Sequence, residues 1–389
     1  MNRAYDAIVV GAGILGASTA YHLKRNGVER VALFERRGPA SGGIGKSAAI
    51  VRQHYSTALL ARLTKESIGM FTAMPDEIGA DSGYVGSGWV FLVPDAMIDA
   101  ARTNVDMLQS NGIETRFLDA GEVAARLPWL NPQDVAGVVY EPHGGYADPV
   151  RTTEAYVKGF SDQGGELRLN TPVRGLLRNG DAVTGILTDD GPVGAGNVVN
   201  AAGPWSKFLA EGAGIEMDLR SIREQDTVWE ARGDRPIPEI SVSNGVDAIY
   251  LRPLGQRRFV VGRGYPKDYF DVDPYNYKET ADEAFVSDVQ TRLEHRFPPF
   301  AGARRIDSYA ALYDVTPDWY PYIGPRSGLQ GYYDACGGSG HGFKIGPAIG
   351  RHLARWISEN AVDENFAELS YDRVAAGKMF VGAYGGNRA

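Results

Sequence analysis

The chain has 389 residues, of which 43% are hydrophobic and 23% charged, a balance typical of a globular protein long enough for two domains. Its formal net charge is −8, and the lack of a Lys- and Arg-rich stripe argues against a nucleic-acid partner. The one cysteine, Cys336, excludes an intrachain disulfide and a cysteine-based metal site. Because the sequence has neither a signal-peptide pattern nor a long apolar run, it predicts a cytoplasmic protein without a membrane span.

The first part of the chain predicts a β-α-β unit. Tyr5–Val10 is an apolar run typical of a buried strand, and a glycine-rich turn at residues 11–16 follows it directly. Residues 17–26 have the apolar spacing of a helix. The apolar residues 31–34 then predict a second strand, which ends in Glu35.

Helices and strands continue along the rest of the chain. After a second glycine-rich turn at 41–46, residues 47–70 predict a helix over most of their length. There follow a strand at 88–93, helices at 96–110, 122–127 and 152–163, and strands at 166–169, 174–177, 182–188 and 197–201. The stretch 220–270 is rich in Tyr, Val, Ile and Phe and predicts antiparallel sheet. The last elements are a helix at 282–297, a strand at 332–335, a glycine-rich turn at 337–342 and a helix at 345–359.

The turn at residues 11–16 has the GxGxxG spacing of dinucleotide-binding proteins. Gly11 allows the tight turn, Gly13 lets the backbone approach a pyrophosphate, and Gly16 lets the helix pack on the strand. The helix N-terminus offers free N–H groups and its positive dipole end to phosphates. Glu35, roughly 20 residues further on, is placed to accept hydrogen bonds from ribose hydroxyls. This context predicts a dinucleotide site, and its place near the first residues favours FAD over NAD.

Six segments in a fixed order carry a resemblance to one flavoprotein superfamily. They are residues 5–23 (YDAIVVGAGILGASTAYHL), 50–55 (IVRQHY), 144–149 (GGYADP), 198–206 (VVNAAGPWS), 311–325 (ALYDVTPDWYPYIGP) and 337–350 (GGSGHGFKIGPAIG). With them the chain resembles the D-amino-acid-oxidase-like FAD-dependent oxidoreductases. Among these it is most similar to monomeric sarcosine oxidase and to the beta subunit of heterotetrameric sarcosine oxidase, and the resemblance covers nearly the whole chain.

The resemblance implies a fold of class α/β plus α+β in two domains. A Rossmann-like FAD-binding domain, discontinuous in sequence, would comprise residues 1–85, 146–218 and 322–389. Residues 86–145 and 219–321 would form a substrate-binding domain, built on an antiparallel β-sheet that covers the flavin ring.

The same resemblance implies which residues contact FAD. They are Gly11, Gly13, Ile14, Leu15, Gly16, Glu35, Arg36, Ser47, Ala48, Val173, Ala201, Ala202, Gly203, Trp205, Gly338, Gly340, Gly342, Phe343 and Lys344. Monomeric sarcosine oxidase bonds its flavin to a cysteine, where this chain has Ala311, so we expect non-covalent FAD. The GGYADP turn lacks the histidine that holds a second flavin in the heterotetrameric relative, so we expect no second flavin.

Two cations are the strongest candidates for holding a substrate. In the sarcosine oxidases the residues that match Arg52 and Lys344 bind the substrate carboxylate, a task that suits an Arg fork and a Lys point charge. Surface salt bridges are the alternative role for both. The resemblance also places Tyr250 and Tyr313 in the substrate pocket, where their rings suit a cationic or N-methylated amine. Packing in the core is their alternative role.

Other residues carry a weaker signal. His341 lies in the last glycine-rich turn, where it is expected to contact the substrate or the flavin, and a structural role is the alternative. Trp89 and Trp229 are lesser pocket candidates. His54 lies two residues after Arg52, and packing accounts for it as well as catalysis does.

The resemblance implies oxidation of the C–N bond of a small anionic amino acid or N-alkyl amino acid. FAD would accept a hydride at N5 from the carbon next to nitrogen, and the imine product would hydrolyse. This chemistry needs no strong acid or base, so we assign none. The strand-like segment 258–263 lacks the lysine with which monomeric sarcosine oxidase activates oxygen. Oxygen or another electron acceptor therefore remains open.

Two other functions also remain open from the sequence. A flavin dehydrogenase of the same superfamily that oxidises a hydroxy acid or glycerol 3-phosphate would bind an anionic substrate too. A non-catalytic flavin-binding subunit of a larger complex is the other alternative. The sequence determines neither the individual substrate nor the oligomeric state.

Overall fold

The computed structural model describes residues 4–384. Its strands are β1 (Tyr5–Val10), β2 (Val31–Phe34), β3 (Ile50–Val51), β4 (Trp89–Val93), β5 (Arg116–Phe117), β6 (Gly137–Glu141), β7 (Gly145–Tyr146), β8 (Glu166–Arg168), β9 (Val173–Asn179), β10 (Ala182–Thr188), β11 (Gly191–Asn200), β12 (Arg220–Glu230), β13 (Ser241–Asn244), β14 (Ile249–Gly255), β15 (Arg258–Arg263), β16 (Arg304–Val315), β17 (Tyr322–Arg326) and β18 (Leu329–Cys336). Its helices are α1 (Ile14–Arg25), α2 (Ala58–Ile78), α3 (Ile98–Ser110), α4 (Ala120–Arg126), α5 (Pro149–Asp162), α6 (Ser206–Glu211), α7 (Glu283–Arg296), α8 (Gly342–Glu359), α9 (Glu364–Ala367) and α10 (Asp372–Ala375).

The first sheet has the strand order β17-β18-β10-β11-β1-β2-β8, and β9 pairs with β10 beside it. β1 lies in its middle, parallel to both β2 and β11. Val9 and Leu33 pack on one face against α1, α2, α5 and α8. Ile8 and Phe34 pack on the other face against α6. Because both faces are covered, the central strands are apolar throughout, as parallel strands usually are.

The second sheet has the strand order β16-β12-β15-β14-β13-β4-β6-β5. Its neighbours run antiparallel, apart from the parallel pair β4 and β13. One face packs on α7 through a core that includes Phe259, Leu293 and Phe297. Since side chains alternate along a strand, Trp89 and Tyr250 lie on the opposite face. The face with Trp89 and Tyr250, called the free face below because α7 does not cover it, can therefore line a cavity.

The two sheets draw on separate parts of the chain. Strands of the first sheet lie within residues 5–34, 166–200 and 322–336, and strands of the second lie within 89–141 and 220–315. The small β3–β7 pair stands apart from both sheets. The predicted fold class, a discontinuous α/β domain with an antiparallel second domain, is confirmed, and the boundaries of the two domains stay a prediction.

The predicted helix over most of residues 47–70 is wrong at its start. Ala49 has a φ of 50°, which a right-handed helix does not accept. The next two residues pair with β7, and α2 begins only at Ala58. The long strand β16 was not predicted, because its sequence RRIDSYAALYDV lacks a regular alternation of polar and apolar residues.

No helix within residues 4–384 has the length and the apolar character that a bilayer crossing requires.

Candidate active site

A cleft opens at the carboxyl ends of β1 and β2, where the first glycine-rich turn leads into α1. Gly11 has a φ of 104°, and a Cβ at this position would lie 2.4 Å from the carbonyl oxygen of Ala201. The turn therefore needs glycine here to pass close to the chain after β11. A Cβ on Gly13 would meet no atom within 4 Å, so this residue presents its open side to the cleft.

The residues around this turn fit a dinucleotide. Gly13 caps α1 without a side-chain hydrogen bond, and the first turn of α1 has no acidic residue. Its N–H groups and positive dipole end are thus available to phosphates. Glu35 accepts hydrogen bonds from the backbone N–H groups of Ala12 (3.0 Å) and Arg37 (2.9 Å), which hold its carboxylate at the cleft wall. That carboxylate retains lone pairs for ribose hydroxyls.

A group of aromatic rings with one cation lies at another part of the cleft wall. The Arg36 guanidinium lies 3.8 Å from the ring centre of Trp205 and 5.8 Å from that of Tyr275. The Nε1 atom of Trp205 is buried, and none of the described residues accepts a hydrogen bond from it. A buried donor of this kind calls for a partner, which a bound cofactor can provide.

The cleft wall contains sixteen of the residues predicted to contact FAD, namely Gly11, Gly13, Ile14, Leu15, Glu35, Arg36, Ser47, Val173, Ala201, Ala202, Gly203, Trp205, Gly338, Gly340, Gly342 and Phe343. Gly16 is placed elsewhere: its Cβ would lie 1.9 Å from the carbonyl oxygen of Gly11, so it serves the packing of α1 on the turn. Ala48 and Lys344 line an adjoining cavity instead. Sequence reasoning missed wall residues that belong to no motif, among them Thr171, Pro172, Arg174 and Tyr275, and it also missed Leu312, which lies within the 311–325 segment.

The adjoining cavity, called the inner chamber below, shares four wall residues with the cleft: Ser47, Tyr313, Gly340 and Phe343. Its wall combines the free face of the second sheet, the segment after β3 and the turn before α8. All five predicted substrate residues line it: Arg52, Tyr250, Tyr313, His341 and Lys344. The structure thus brings together residues from four separate regions of the chain.

Arg52 follows β3 and lies beside two aromatic rings. Its guanidinium carbon is 4.8 Å from the ring centre of Tyr55 and 5.8 Å from that of Trp89. One guanidinium N–H donates to the backbone carbonyl of His54. No carboxylate within residues 4–384 forms an ion pair with Arg52, so its other donors remain available to a ligand in the chamber.

Lys344 lies in the first turn of α8 and is only 7% exposed. Burial, and then the nearby charge of Arg52, lower the pKa of this ammonium group well below its usual range. Neither a hydrogen bond nor an ion pair links Lys344 to any described residue. A buried cation without a partner is costly, and an anion bound between Lys344 and Arg52 would relieve that cost.

His341 precedes α8 and contacts Tyr55, whose hydroxyl lies 3.2 Å from the His341 Nδ1 atom. Burial, and then the charges of Lys344 and Arg52, lower the pKa of His341 well below its usual range. The imidazole is therefore neutral near pH 7. A neutral ring at this place can accept or donate a hydrogen bond without adding a third positive charge.

His54 also lines the inner chamber, although packing accounted for it equally well in the sequence. Its Nε2 atom lies 2.7 Å from the hydroxyl of Tyr384, and its Nδ1 atom lies 3.9 Å from Glu141. Burial, and then Arg52, lower the pKa of His54 to about 3. Burial raises the pKa of Glu141 to about 7 despite a hydrogen bond from the Gln53 N–H. Because the pKa of His54 is so low, its ring is neutral in the folded protein near pH 7.

Tyr250 and Tyr313 form the side of the chamber that belongs to the second sheet. The Tyr250 hydroxyl donates to Asp226 over 2.7 Å. Trp89, a lesser candidate, lines the same chamber. Trp229 does not: it is 2% exposed within the core under α7 and donates to the hydroxyl of Thr227. Alternation along β12 turns this indole away from the chamber.

The sequence matches the family described as DAO, FAD dependent oxidoreductase, over residues 6–356. The chain belongs to this family. The predicted FAD dependence and the oxidoreductase class are thereby confirmed.

Individual proteins resemble the chain over most of its length. The sarcosine oxidase subunit beta of Arthrobacter sp is 28% identical over 387 residues, which cover 97% of this chain and 93% of that protein. The 4-methylaminobutanoate oxidase (formaldehyde-forming) of Paenarthrobacter nicotinovorans is 28% identical over 90% of this chain but only 43% of that protein. The crystal structure of L-proline dehydrogenase from P. horikoshii superposes with a TM-score of 0.88 at 25% identity, covering 98% of this chain and 100% of that one. The chain therefore spans whole relatives in some cases and less than half of a relative in others.

A lysine that the sequence did not single out also lines the chamber of this DAO-family protein. Lys267 comes after β15 and donates to the Glu224 carboxylate and, over 2.8 Å, to the carbonyl of Arg263. Its ion pair with Glu224 is largely buried, the two side chains being 16% and 8% exposed. No local signal could reveal this pair, because it depends on how the irregular segment after β15 folds back onto β12.

The cysteine of this chain stands apart from the cleft wall. Cys336 is fully buried at the end of β18 and packs with Tyr322 and Tyr332. Burial raises the pKa of its thiol well above the usual range, so the thiolate needed for bonding is disfavoured. Ala311 occupies β16 beside Leu312, which does line the cleft.

Proposed function

We propose that the chain oxidises the C–N bond of a small amino acid or N-alkyl amino acid, with non-covalently bound FAD as the group that receives the electrons. One observation carries the proposal. Two cations that form no ion pair with any residue in the described part of the chain, Arg52 and Lys344, line a chamber that adjoins the cleft for FAD.

The two cations define where the substrate carboxylate would bind. Arg52 offers a planar fork of donors and Lys344 a point charge, and together they would fix both oxygens of one carboxylate. Their charges would be largely satisfied on binding, which favours an anionic substrate over a neutral one. Tyr250 and Tyr313 would then surround the nitrogen end, since aromatic rings attract cationic and N-alkylated amines.

The names of the relatives support the same substrate class. They are named for sarcosine, 4-methylaminobutanoate and L-proline, and each of these molecules combines a carboxylate with a secondary amine. Bound FAD would supply a hydride acceptor at N5 for the carbon next to nitrogen. The residues of this chain would hold the substrate in place and exclude water, and the imine product would hydrolyse.

The proposal also concerns assembly with other chains, the electron acceptor and the cellular location. One relative that the chain matches over nearly its full length is named as a subunit, so we propose that this chain assembles with other chains, which the mass of the native protein tests. The electron acceptor, oxygen or another compound, and the cytoplasmic location stay predictions from the sequence.

An anaerobic substrate panel tests the proposal. The FAD-loaded protein is mixed with sarcosine, N,N-dimethylglycine, L-proline, glycine and D-alanine, and in parallel with lactate, glycolate and glycerol 3-phosphate. We expect the flavin absorbance to fall with one or more of the amino acids only. Reduction by a hydroxy acid or by glycerol 3-phosphate would contradict the proposal in favour of a dehydrogenase for such substrates. No reduction by any compound would instead favour a flavin-binding subunit.

A further inference from the structure

A buried carboxylate lies directly behind Tyr250 in the chamber wall. Asp226, on β12, is 6% exposed and accepts the 2.7 Å hydrogen bond from the Tyr250 hydroxyl. Gly262, on the strand between them, makes this contact possible: a Cβ there would lie 2.3 Å from the Tyr250 oxygen and 2.4 Å from Asp226 Oδ1. Any larger residue at position 262 would separate the pair.

The negative charge of Asp226 is not neutralised by an ion pair with any described residue. Lys267, whose charge lowers the pKa of Asp226, is bound to Glu224. The titratable groups that surround Asp226 come from its own strand, β14, β16 and the segment after β15, and they are Glu224, Tyr250, Tyr309, Tyr313 and Lys267. Burial raises the pKa of Asp226 to about 6, although the Tyr250 hydrogen bond and Lys267 oppose the shift. The carboxyl group is therefore mostly ionised at pH 7 and becomes protonated in mildly acidic solution.

The chamber thus carries opposite charges on two sides. Arg52 and Lys344 lie on one side, and Asp226 stands behind the tyrosine that lines another. This arrangement complements a zwitterion, with its carboxylate toward the cations and its ammonium group toward Tyr250. An ammonium group cannot lose a hydride from the neighbouring carbon until its nitrogen releases a proton and has a free lone pair.

We infer that Asp226 is the acceptor of this proton and acts through Tyr250, an inference that rests on the proposed amino-acid substrate. The substrate N–H bond breaks as its proton passes to the Tyr250 oxygen, while the original Tyr250 O–H proton passes to Asp226 Oδ1. The amine, the tyrosine and the carboxyl group are all neutral afterwards, and no oxidant is consumed. Asp226 is thus a positioning residue, because only Tyr250 contacts the substrate.

The pH profile of flavin reduction by a substrate from the panel tests this inference in the FAD-loaded protein. The wild type should reduce the flavin at a rate that falls below about pH 6, because a protonated Asp226 accepts nothing. In Asp226→Asn and Tyr250→Phe, only substrate that is already deprotonated can react. The rate at pH 7 should fall by about 100-fold or more, the usual contribution of general base catalysis, and should rise about tenfold per pH unit toward alkaline pH. A uniform loss at every pH would overturn the inference.

A binding experiment gives a readout that does not depend on turnover. Trimethylglycine and 3,3-dimethylbutanoate have the same shape, but only the first carries a positive charge at the nitrogen position. The wild type should bind trimethylglycine more tightly, and Asp226→Asn should reduce this preference to the part that the aromatic rings supply, while it leaves the affinity for 3,3-dimethylbutanoate within about twofold. An equal change in both affinities would mean that Asp226 is only structural, which contradicts the inference.

A matched control removes one negative charge from the same strand. Glu230 lies at the C-terminal end of β12 and pairs with Arg304 at the surface. Glu230→Gln should therefore retain both the wild-type pH profile and the preference for trimethylglycine.

The proposed amino-acid substrate and the role of Asp226 fail in different ways. If neither probe binds and Arg52→Ala changes nothing, the carboxylate site itself is wrong. If both probes bind but Asp226→Asn keeps the wild-type preference, only the role of Asp226 is wrong.

Discussion

Arg52 and Lys344 come from opposite ends of the chain and meet in the inner chamber. Replacing either cation should weaken the hold on the substrate carboxylate without loss of FAD. We expect Arg52→Ala and Lys344→Met each to raise KM about 10- to 100-fold, since a hydrogen bond to a charged group contributes about 1.5–3 kcal/mol. Steady-state kinetics measure KM, and the flavin absorbance of the purified variants measures the bound FAD.

The exposed Arg62 on α2 provides the control for that pair. Arg62→Ala removes a positive charge of the same kind from a residue that lines neither the cleft nor the inner chamber, and KM should stay at the wild-type value. Wild-type kcat/KM in both Arg52→Ala and Lys344→Met would show that the chamber holds its substrate in another way.

Gly11 and Gly13 belong to the same motif, but Gly11 is needed for the folded turn and Gly13 for FAD binding. Gly13 has a φ of −78°, which any residue adopts, and its open side faces the cleft. Gly13→Val should therefore leave the FAD-free protein within about 0.5 kcal/mol of the wild-type stability, yet weaken FAD binding by steric exclusion. Gly11→Ala should destabilise even the FAD-free protein, because its Cβ would meet the Ala201 carbonyl. Urea unfolding of the FAD-free proteins and FAD titration separate the two effects, and equal stability losses in both variants would contradict this assignment.

Individual residues could be predicted where they belong to a recognisable motif. Arg52, Lys344 and Gly13 each stand in a short segment with a characteristic spacing, and the structure places all three at a cavity wall. Asp226 and Lys267 have no such signal. Their positions depend on strand register and on a folded-back segment, and single-sequence periodicity contains neither.

At the scale of elements, the short helix α10 is joined to the turn after β16 by a buried ion pair. Arg373, 5% exposed, donates to Asp318 over 2.8 and 2.9 Å and also to the carbonyls of Tyr320, Pro321 and Leu369. Removing one partner of such a pair leaves a buried charge without compensation. We expect Arg373→Met to lower the free energy of unfolding by about 3–5 kcal/mol, as measured by urea denaturation.

The same ion pair should make stability depend on pH. Burial opposes ionisation of Asp318, but the hydrogen bonds and charge of Arg373 hold its pKa below the usual range. A carboxyl group whose pKa is lower in the folded than in the unfolded state stabilises the protein at pH values above its unfolded-state pKa. This stabilisation is lost as the pH falls below about 4.

A double variant tests the coupling between the two residues. The double variant Arg373→Met with Asp318→Asn should lose less stability than the sum of the single variants. Strictly additive losses of stability would contradict the coupling. Arg355→Met, on the exposed side of α8, is the control for the loss of an arginine.

Elements could be predicted where their own periodicity decides the conformation. The apolar run of β1 and the amphipathic pattern of α5 are strong local signals, and both elements form close to their predicted positions. The start of the predicted helix at 47–70 failed for a tertiary reason. The pairing of β3 with β7 and the left-handed Ala49 outweigh a moderate helical pattern and carry the chain to Arg52.

At the scale of the whole molecule, the cleft and the inner chamber lie where the two sheets meet. Gly11 and Glu35 directly follow two strands of the first sheet, whereas Leu312 and Tyr313 belong to β16 of the second, and all four line the cleft. The family resemblance of the sequence implied this discontinuous arrangement. A ligand in the cleft therefore contacts both sheets at once, which no single stretch of sequence could show.

FAD should for this reason stabilise both sheets together. A ligand that binds only the folded chain stabilises it by about 2.7 kcal/mol at 100 times its dissociation constant. We expect added FAD to raise the unfolding temperature above that of the FAD-free protein in a concentration-dependent way.

A probe in each sheet should report the same transition. Trp229, in the core of the second sheet, is one such probe. Gly13→Val should show no shift at the same FAD concentrations, because its side chain would occupy the open side of the turn. A shift confined to the first sheet would contradict the view that the cofactor joins the two sheets, since Leu312 and Tyr313 would then contribute nothing to its binding.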